Sequence, residues 1–309
     1  MKKRCYLVTG AAGFIGSALA SKIIQEGSEV ITVDNLSSGF ESSIPSEVKF
    51  IKGDCSDKKT LSKLKNYNFD AIFHIAGQSS GEVSFEDPEY DLKSNTLSTL
   101  LLLQLALEKK CKKFIYASSM SVYGDQDTLP VDEESPFNPI SLYAVGKIAS
   151  ENYMKIYSNY GIDCISLRLF NVYGPGQNLE NLKQGMISIY LAQAIKDKRV
   201  VVKGSQNRFR DFIYIDDVIR VFAEAIKIEL PSFDYFNVCT GKKTTVKEVL
   251  AQISDILPFD ISLDSSQPSL GDQQGIFGNN KKLLKYFNIP EMLPLNEGLK
   301  KTVNEVLDR

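Results

Sequence analysis

Tyr143 and Lys147 stand four residues apart in the run Tyr143-Ala144-Val145-Gly146-Lys147. On a helix that spacing puts both side chains on one face. An ammonium beside a phenol favours the phenolate, drawing a tyrosine pKa down from about 10 toward neutrality, where the group works as general base and acid. In a chain with 14 tyrosines such a spacing arises readily by chance, so its placement decides its weight. A serine-rich strand end, Ala117-Ser118-Ser119-Met120-Ser121-Val122-Tyr123-Gly124, lies just before it.

A second chemical signal sits at the start of the chain. The strand-like run Arg4-Cys5-Tyr6-Leu7-Val8-Thr9 leads into Gly10-Ala11-Ala12-Gly13-Phe14-Ile15-Gly16 and then an apolar helix. Gly10 permits a sharp turn, Gly13 lets phosphates approach the main chain, and Gly16 lets the helix lie close to the strand. A further strand, Glu29-Val30-Ile31-Thr32-Val33, ends in Asp34. An acidic residue about twenty positions past such a turn accepts both hydroxyls of an adenosine ribose and repels a 2′-phosphate. The expected cofactor is therefore NAD.

These groups need a scaffold, and the apolar pattern supplies one. Short strands centred near Leu7, Ile31, Phe50, Ile72, Ile115 and Ile165 alternate with helical stretches around Leu19–Ile24, Leu61–Leu64, Leu97–Leu107 and Ala144–Tyr157. That rhythm predicts an α/β fold, a Rossmann-type doubly wound parallel sheet with right-handed crossovers. Beyond Arg168-Leu169-Phe170-Asn171 the texture becomes turn-rich. Helices are expected over Met186–Ile195, Val246–Leu257 and Leu295–Leu307, with a strand at Val200–Val202. Phe212 to Ile228 reads as strand then helix, and it and Tyr235–Val238 are expected to rejoin the sheet. The chain thus divides into an NAD-binding part over residues 1–170, rejoined by 211–240, and a smaller C-terminal substrate-binding lobe over 171–210 and 241–309. The leucines between Thr96 and Glu108 cover more than one helix face, so a neighbouring helix or a second protomer should hide what the sheet does not. A homodimer is the expectation.

Composition excludes several classes. A formal charge of −2 and a pI near 5.7 leave no footprint for nucleic acid or an anionic membrane. The basic start Met1-Lys2-Lys3-Arg4 runs into the glycine turn rather than a leader's apolar core, and no apolar stretch is long enough to span a bilayer. Five scattered cysteines, Cys5, Cys55, Cys111, Cys164 and Cys239, suit reduced thiols in a cytoplasm. The one histidine, His74, rules out a two-histidine metal site within the chain, and no metal is expected. At the end of Ala71-Ile72-Phe73-His74 it reads as a buried wall residue.

Taken together the chain resembles the extended short-chain dehydrogenase/reductase family, in particular its nucleotide-sugar-modifying members. The resemblance rests on Gly10-x-x-Gly13-x-x-Gly16, Asp34, Gly53-Asp54, His74-Ile75-Ala76-Gly77, Asn95, Ser119 and Tyr143-x-x-x-Lys147. It continues through Leu167-Arg168-x-Phe170-Asn171-x-Tyr173-Gly174-Pro175 and Arg210-Asp211-Phe212-Ile213-Tyr214-Ile215-Asp216-Asp217. The resemblance implies that Tyr143 is general base and acid and that Ser119 hydrogen-bonds the reacting sugar oxygen. It implies that Lys147 holds the nicotinamide ribose and that Asp54 and Cys55 edge the adenine. Phe14, Ile15, Asn35, Ala76, Gly77 and Asn95 would also border the cofactor. Ser79, Ser121, Asn171 and Arg210 would meet the substrate, the last two at its phosphates.

The same resemblance bears on the reaction. Family members that eliminate water or carbon dioxide resemble Thr-Asp-Glu-x-Tyr or Thr-Ser-Glu-x-Tyr beside the catalytic hydroxyl. This chain has Ser119-Met120-Ser121-Val122-Tyr123, without a carboxylate, and looks most like the 4-epimerases. In the implied cycle Tyr143 takes the proton of the sugar 4-hydroxyl as hydride leaves C4 for NAD⁺. The 4-keto sugar turns over, and hydride and proton return on the other face. Net redox is zero. The alternatives are an NAD(P)H-dependent reductase of a nucleotide-linked 4-keto sugar and a non-catalytic NAD sensor. Many relatives also carry an arginine before a Gly-Asp in the C-terminal lobe. Here Gln267-Pro268-Ser269-Leu270-Gly271-Asp272-Gln273-Gln274 has none, and Arg208 is a candidate substitute.

Overall fold

Apolar runs too short for a buried helix become strands covered on both faces. The computed structural model describes residues 3–183, 185–229, 232–267 and 274–308. Its main sheet comprises β1 (Cys5–Thr9), β2 (Glu29–Asp34), β3 (Lys49–Lys52), β4 (Ala71–His74), β5 (Lys113–Ser119), β6 (Asp163–Leu169) and β7 (Phe233–Val238). All pair in parallel, in the spatial order β7-β6-β5-β4-β1-β2-β3. From β1 the chain winds outward to β3, then crosses back to β4 on the other side of β1. The carboxyl ends of β1 and β4 are therefore the place where successive loops part, where a ligand seats in a sheet of this kind.

Alternate residues of each strand feed opposite layers. On one face Val8, Phe73, Ile115 and Ile165 pack with Leu19 and Ile23 of α1 (Phe14–Gln25). On the other, Leu7, Ile72, Phe114 and Cys164 meet Leu101, Leu102 and Leu105 of α2 (Ser98–Glu108). A π-wound turn over Leu92–Leu97 runs directly into α2. The second apolar face of α2 lies against α3 (Leu142–Ser158) of the same chain. Val145 and Ile156 of α3 remain exposed, as does Leu92.

The region past residue 170 departs from the expected sheet in one respect. Phe233–Val238 does extend the sheet, but Phe212–Tyr214 pairs in parallel with Asn171–Tyr173 as a separate ribbon. The helix after it, α4 (Ile215–Ala225), returns to the core and buries Val218 and Phe222 beside α1. Arg199–Lys203 pairs with Ser262–Ser266, and Phe209–Arg210 with Thr244–Thr245. Thr245 then caps the helix Val246–Ile256 through a reciprocal bond with Glu248. No helix among the described residues is long and apolar enough to cross a membrane, and they hold no cluster of metal-ligating side chains.

Candidate active site

Gly10 takes φ +78°, closing the turn after β1 in a conformation that disfavours a side chain. It also lies close enough to Ala76 that an added Cβ would sit 2.8 Å from that residue's backbone nitrogen. α1 begins at Gly13 with no side-chain cap and no acidic residue in its first turn. Its first amides and the positive end of its dipole therefore face the crevice, a ready seat for a pyrophosphate.

Asp34 ends β2 beside this turn. Its Oδ2 accepts from Ala12 N at 2.9 Å and its Oδ1 from Leu36 N at 2.8 Å. Each oxygen keeps a free lone pair, so the carboxylate braces the loop and can still accept from a ribose. Asp54 accepts from Ser56 N and Ser56 Oγ, at 2.7 and 2.6 Å, and from Asn35 Nδ2 at 2.8 Å. Burial pushes its pKa up, but these hydrogen bonds outweigh burial and hold it below the ordinary carboxylate range.

At the other end of the crevice α3 presents Tyr143 and Lys147, both buried. Ser141 caps that helix by accepting from Ala144 N, which fixes where its first turn starts. Lys147 Nζ donates to Ala117 O at 2.9 Å and lies 5.4 Å from the Tyr143 ring centroid. Burial lowers the lysine pKa, opposed by Tyr143, Asp91 and Glu151. Ser119 Oγ accepts from Ser121 N at 3.1 Å and lies 3.0 Å from Ser121 Oγ.

The Tyr143 pKa corrects the expectation from spacing. Burial raises it, and the charge of Lys147 and a hydrogen bond with Ser119 only partly offset that rise. The ammonium lies 5.4 Å from the ring centroid, and taking the phenolate out of water costs more than that attraction returns.

One cavity of about 770 Å³ joins the two ends. Its lining includes Gly10, Gly13, Phe14, Ile15, Gly16, Asp34, Asn35, Asp54, Cys55, Ala76 and Gly77, and further along Ser79, Ser119, Ser121, Tyr143, Lys147 and Asn171. Two expected residues do not line it. Asn95 lies beneath the floor, where its Nδ2 donates to Gln78 O and Asp91 Oδ1, each at 3.0 Å. Arg210 is buried with Nη1 donating to Phe209 O at 2.8 Å, and burial followed by the charge of Arg208 pushes its pKa down to about 10. Arg208 is buried too, and its Nε donates to Ser205 O. Residues 268–273 of the arginine-lacking segment lie outside the described residues.

His74 is a buried wall residue, as its strand position suggests. Its Nδ1 meets Thr9 Oγ1 at 2.9 Å and its Nε2 meets Ser98 Oγ at 3.1 Å. Thr9 Oγ1 already accepts from Ile75 N and Ala76 N, so it donates to Nδ1 and the ring proton sits on Nε2. Burial and then Lys147 push the pKa of His74 down to about 3, which keeps the ring neutral.

Sequence reasoning missed Thr9, whose hydroxyl shapes the Ile75–Ala76 wall. It missed the walls Gln177–Asn181 and Ser37–Phe40. Gly39 gave a usable signal, since a Cβ there would lie 2.2 Å from Ala12 O.

The sequence profile of the NAD-dependent epimerase/dehydratase family matches residues 6–239. The chain belongs to that family. Its cofactor is NAD, and the glycine turn, the uncapped helix start and Asp34 fit that cofactor. A family relative, the UDP-glucose 4-epimerase of Mycolicibacterium smegmatis, is 33% identical across 96% of this chain and 96% of its own. The UDP-glucose 4-epimerase of Thermotoga maritima, solved with UDP-glucose, superposes with a TM-score of 0.94 at 31% identity, over 98% of this chain and 99% of that one. A dTDP-4-dehydro-6-deoxyglucose reductase of Escherichia coli is 26% identical over 99% of this chain and 98% of its own.

Proposed function

We propose that the protein is a nucleotide-sugar 4-epimerase acting on a UDP-hexose. The observation that carries this reading is the set of groups at the inner end of the cavity. Ser119, Ser121 and Tyr143 present hydroxyls there, Lys147 an ammonium, and the positions that follow Ser119, Met120 and Ser121, carry no carboxylate. Such a set exchanges a proton with an alcohol at one carbon and lacks the extra acid–base pair that elimination requires.

In this reading Tyr143 Oη takes the proton of the C4 hydroxyl while Ser119 Oγ hydrogen-bonds the same oxygen. Lys147, fixed by Ala117 O, stabilises the phenolate and would hold the nicotinamide ribose. NAD, when bound, supplies the hydride acceptor. Tyr143 then gives its proton back to the oxygen of the 4-keto sugar, and return of the same hydride from the bound cofactor to the opposite face of the turned sugar would invert C4. Phe14, Ile15 and Gly16 would offer amides to the pyrophosphate, Asp34 would grip the adenosine ribose, and Asp54 with Cys55 would edge the adenine. Asn171 supplies an amide for the substrate phosphates, and Ser79 and Ser121 flank the sugar. Residues 1–170 with 211–240 form the cofactor-binding part in this division, and 171–210 with 241–309 the substrate lobe.

Purified protein incubated with UDP-glucose and no added cofactor should generate the anomeric proton signal of UDP-galactose. UDP-N-acetylglucosamine and UDP-glucuronate, run in parallel, identify the sugar. Silence with all three, together with oxidation of added NAD(P)H by a nucleotide-linked 4-keto sugar, would replace this reading with the reductase.

We infer that a second copy of the chain covers α3. Val145 and Ile156 are 50% and 54% exposed on one helix face, and Leu92 is 57% exposed nearby in sequence to α2. Stripes of this kind pair helix to helix. Ile156→Glu should convert a dimer to a monomer in light scattering, and a wild type that is already monomeric would refute the inference. The five cysteines, four of them buried, suit a reducing cytoplasm.

A further inference from the structure

Glu151 lies one turn beyond Lys147 on α3, so Tyr143, Lys147 and Glu151 share one buried helix face. Its carboxylate takes four hydrogen bonds. Oε1 accepts from Ser118 Oγ at 2.7 Å, Ser166 Oγ at 2.8 Å and Arg168 Nε at 3.0 Å, and Oε2 accepts from Arg168 Nη2 at 2.7 Å. The ion pair is sealed from solvent, its side chains 1% and 4% exposed. A buried pair of this kind adds little net stability over apolar groups of the same volume. What it supplies that apolar groups cannot is direction.

That direction converges on Ser119 from both sides. Before it, Ser118 is held by Glu151 while the preceding carbonyl, of Ala117, accepts from Lys147. After it, the short helical turn Met120–Tyr123 ends in a tyrosine whose Oη accepts from Arg168 Nη1 at 2.8 Å and donates to Asn237 Oδ1 at 2.6 Å. The Arg168 guanidinium also lies 4.0 Å from the Tyr235 ring centroid, which leaves it little freedom to swing. The helix carrying Tyr143 and the strand end carrying Ser119 are therefore locked together by one carboxylate and its arginine.

We propose that Glu151 is a positioning residue, which sets Ser119 against Tyr143 through Ser118 and Arg168 and touches neither substrate nor cofactor. The proposal rests on the Tyr143–Ser119 reaction given above. Glu151→Gln is a poor first test, because it strands a buried guanidinium and threatens the fold. Ser118→Ala and Ser166→Ala are better matched. Each removes one hydroxyl bond to the same Oε1, but only Ser118 adjoins Ser119.

Ser118→Ala should lower kcat about tenfold with KM and bound NAD little changed, the signature of a displaced reacting group. Ser166→Ala should keep a kcat close to that of the wild type while losing a similar amount of thermal stability. Equal kcat in Ser118→Ala and wild type would overturn the proposal, and so would an equal loss in Ser166→Ala. Loss of bound NAD from Ser118→Ala would make Ser118 a cofactor contact and overturn it as well. A folded, NAD-loaded wild type inert toward every UDP-sugar would instead overturn the reaction, and this inference with it.

Discussion

Tyr143→Phe should lower kcat by about 10²–10⁴-fold, the range that general acid–base catalysis contributes, and leave bound NAD in place. In the proposed cycle the phenol both takes and returns the proton at C4. Phenylalanine keeps its ring, so the packing of α3 and the position of Lys147 survive the change. Epimerisation followed by NMR measures the rate, and cofactor released on denaturation measures occupancy. The pH dependence sharpens the test. Burial holds the Tyr143 pKa above its ordinary value, so the phenolate is the minor form near neutrality. Wild-type kcat/KM should therefore climb with pH across the neutral range, and the residual rate of Tyr143→Phe should lose that slope. A variant within tenfold of wild type would remove Tyr143 from the proton transfer.

How far the sequence reveals this site depends on the range of each signal. The inner strands of the main sheet were legible because burial on both faces writes a short apolar run, as over residues 71–73 and 114–117. Phe212–Tyr214 writes the same local signal, yet it pairs with Asn171–Tyr173, since sheet membership is decided by distant partners. Ser262–Ser266 is mostly exposed and polar, so its strand exists only through pairing with Arg199–Lys203 and left no trace in composition. The glycine turn and the tyrosine–lysine pair are short-range patterns and read correctly as to position. Their electrostatics did not. The spacing gave the sign of Lys147's pull on Tyr143, but burial, which wins, belongs to the tertiary structure. The placement of Arg210 and Asn95 off the cavity wall is of the same kind, since burial and hydrogen bonds to Phe209 O and to Gln78 O and Asp91 Oδ1 belong to the tertiary structure.

Gly16→Ala should yield protein that purifies without NAD and melts at a lower temperature. The added Cβ would lie 2.1 Å from Gly10 O, 2.6 Å from Gly10 C and 3.0 Å from Ala11 Cα. All three are backbone atoms, so no side chain can swing aside to relieve the clash. α1 must retreat from the turn, or the turn must open. α1 cannot retreat freely, because Leu19, Ala20 and Ile23 on it are buried in the core. Overpacking of this kind costs about 1–3 kcal/mol, and the displacement spoils the same amides that face the pyrophosphate. Gly27→Ala provides the control. Unlike Gly16 it has positive φ, +86°, but its Cβ would meet nothing within 4 Å, so alanine there bears backbone strain without moving the turn. Both variants should lose some stability, while only Gly16→Ala should lose the cofactor, measured by absorbance of the denatured supernatant. Full NAD occupancy in Gly16→Ala would show that close packing of α1 on the turn is not what builds the cofactor seat.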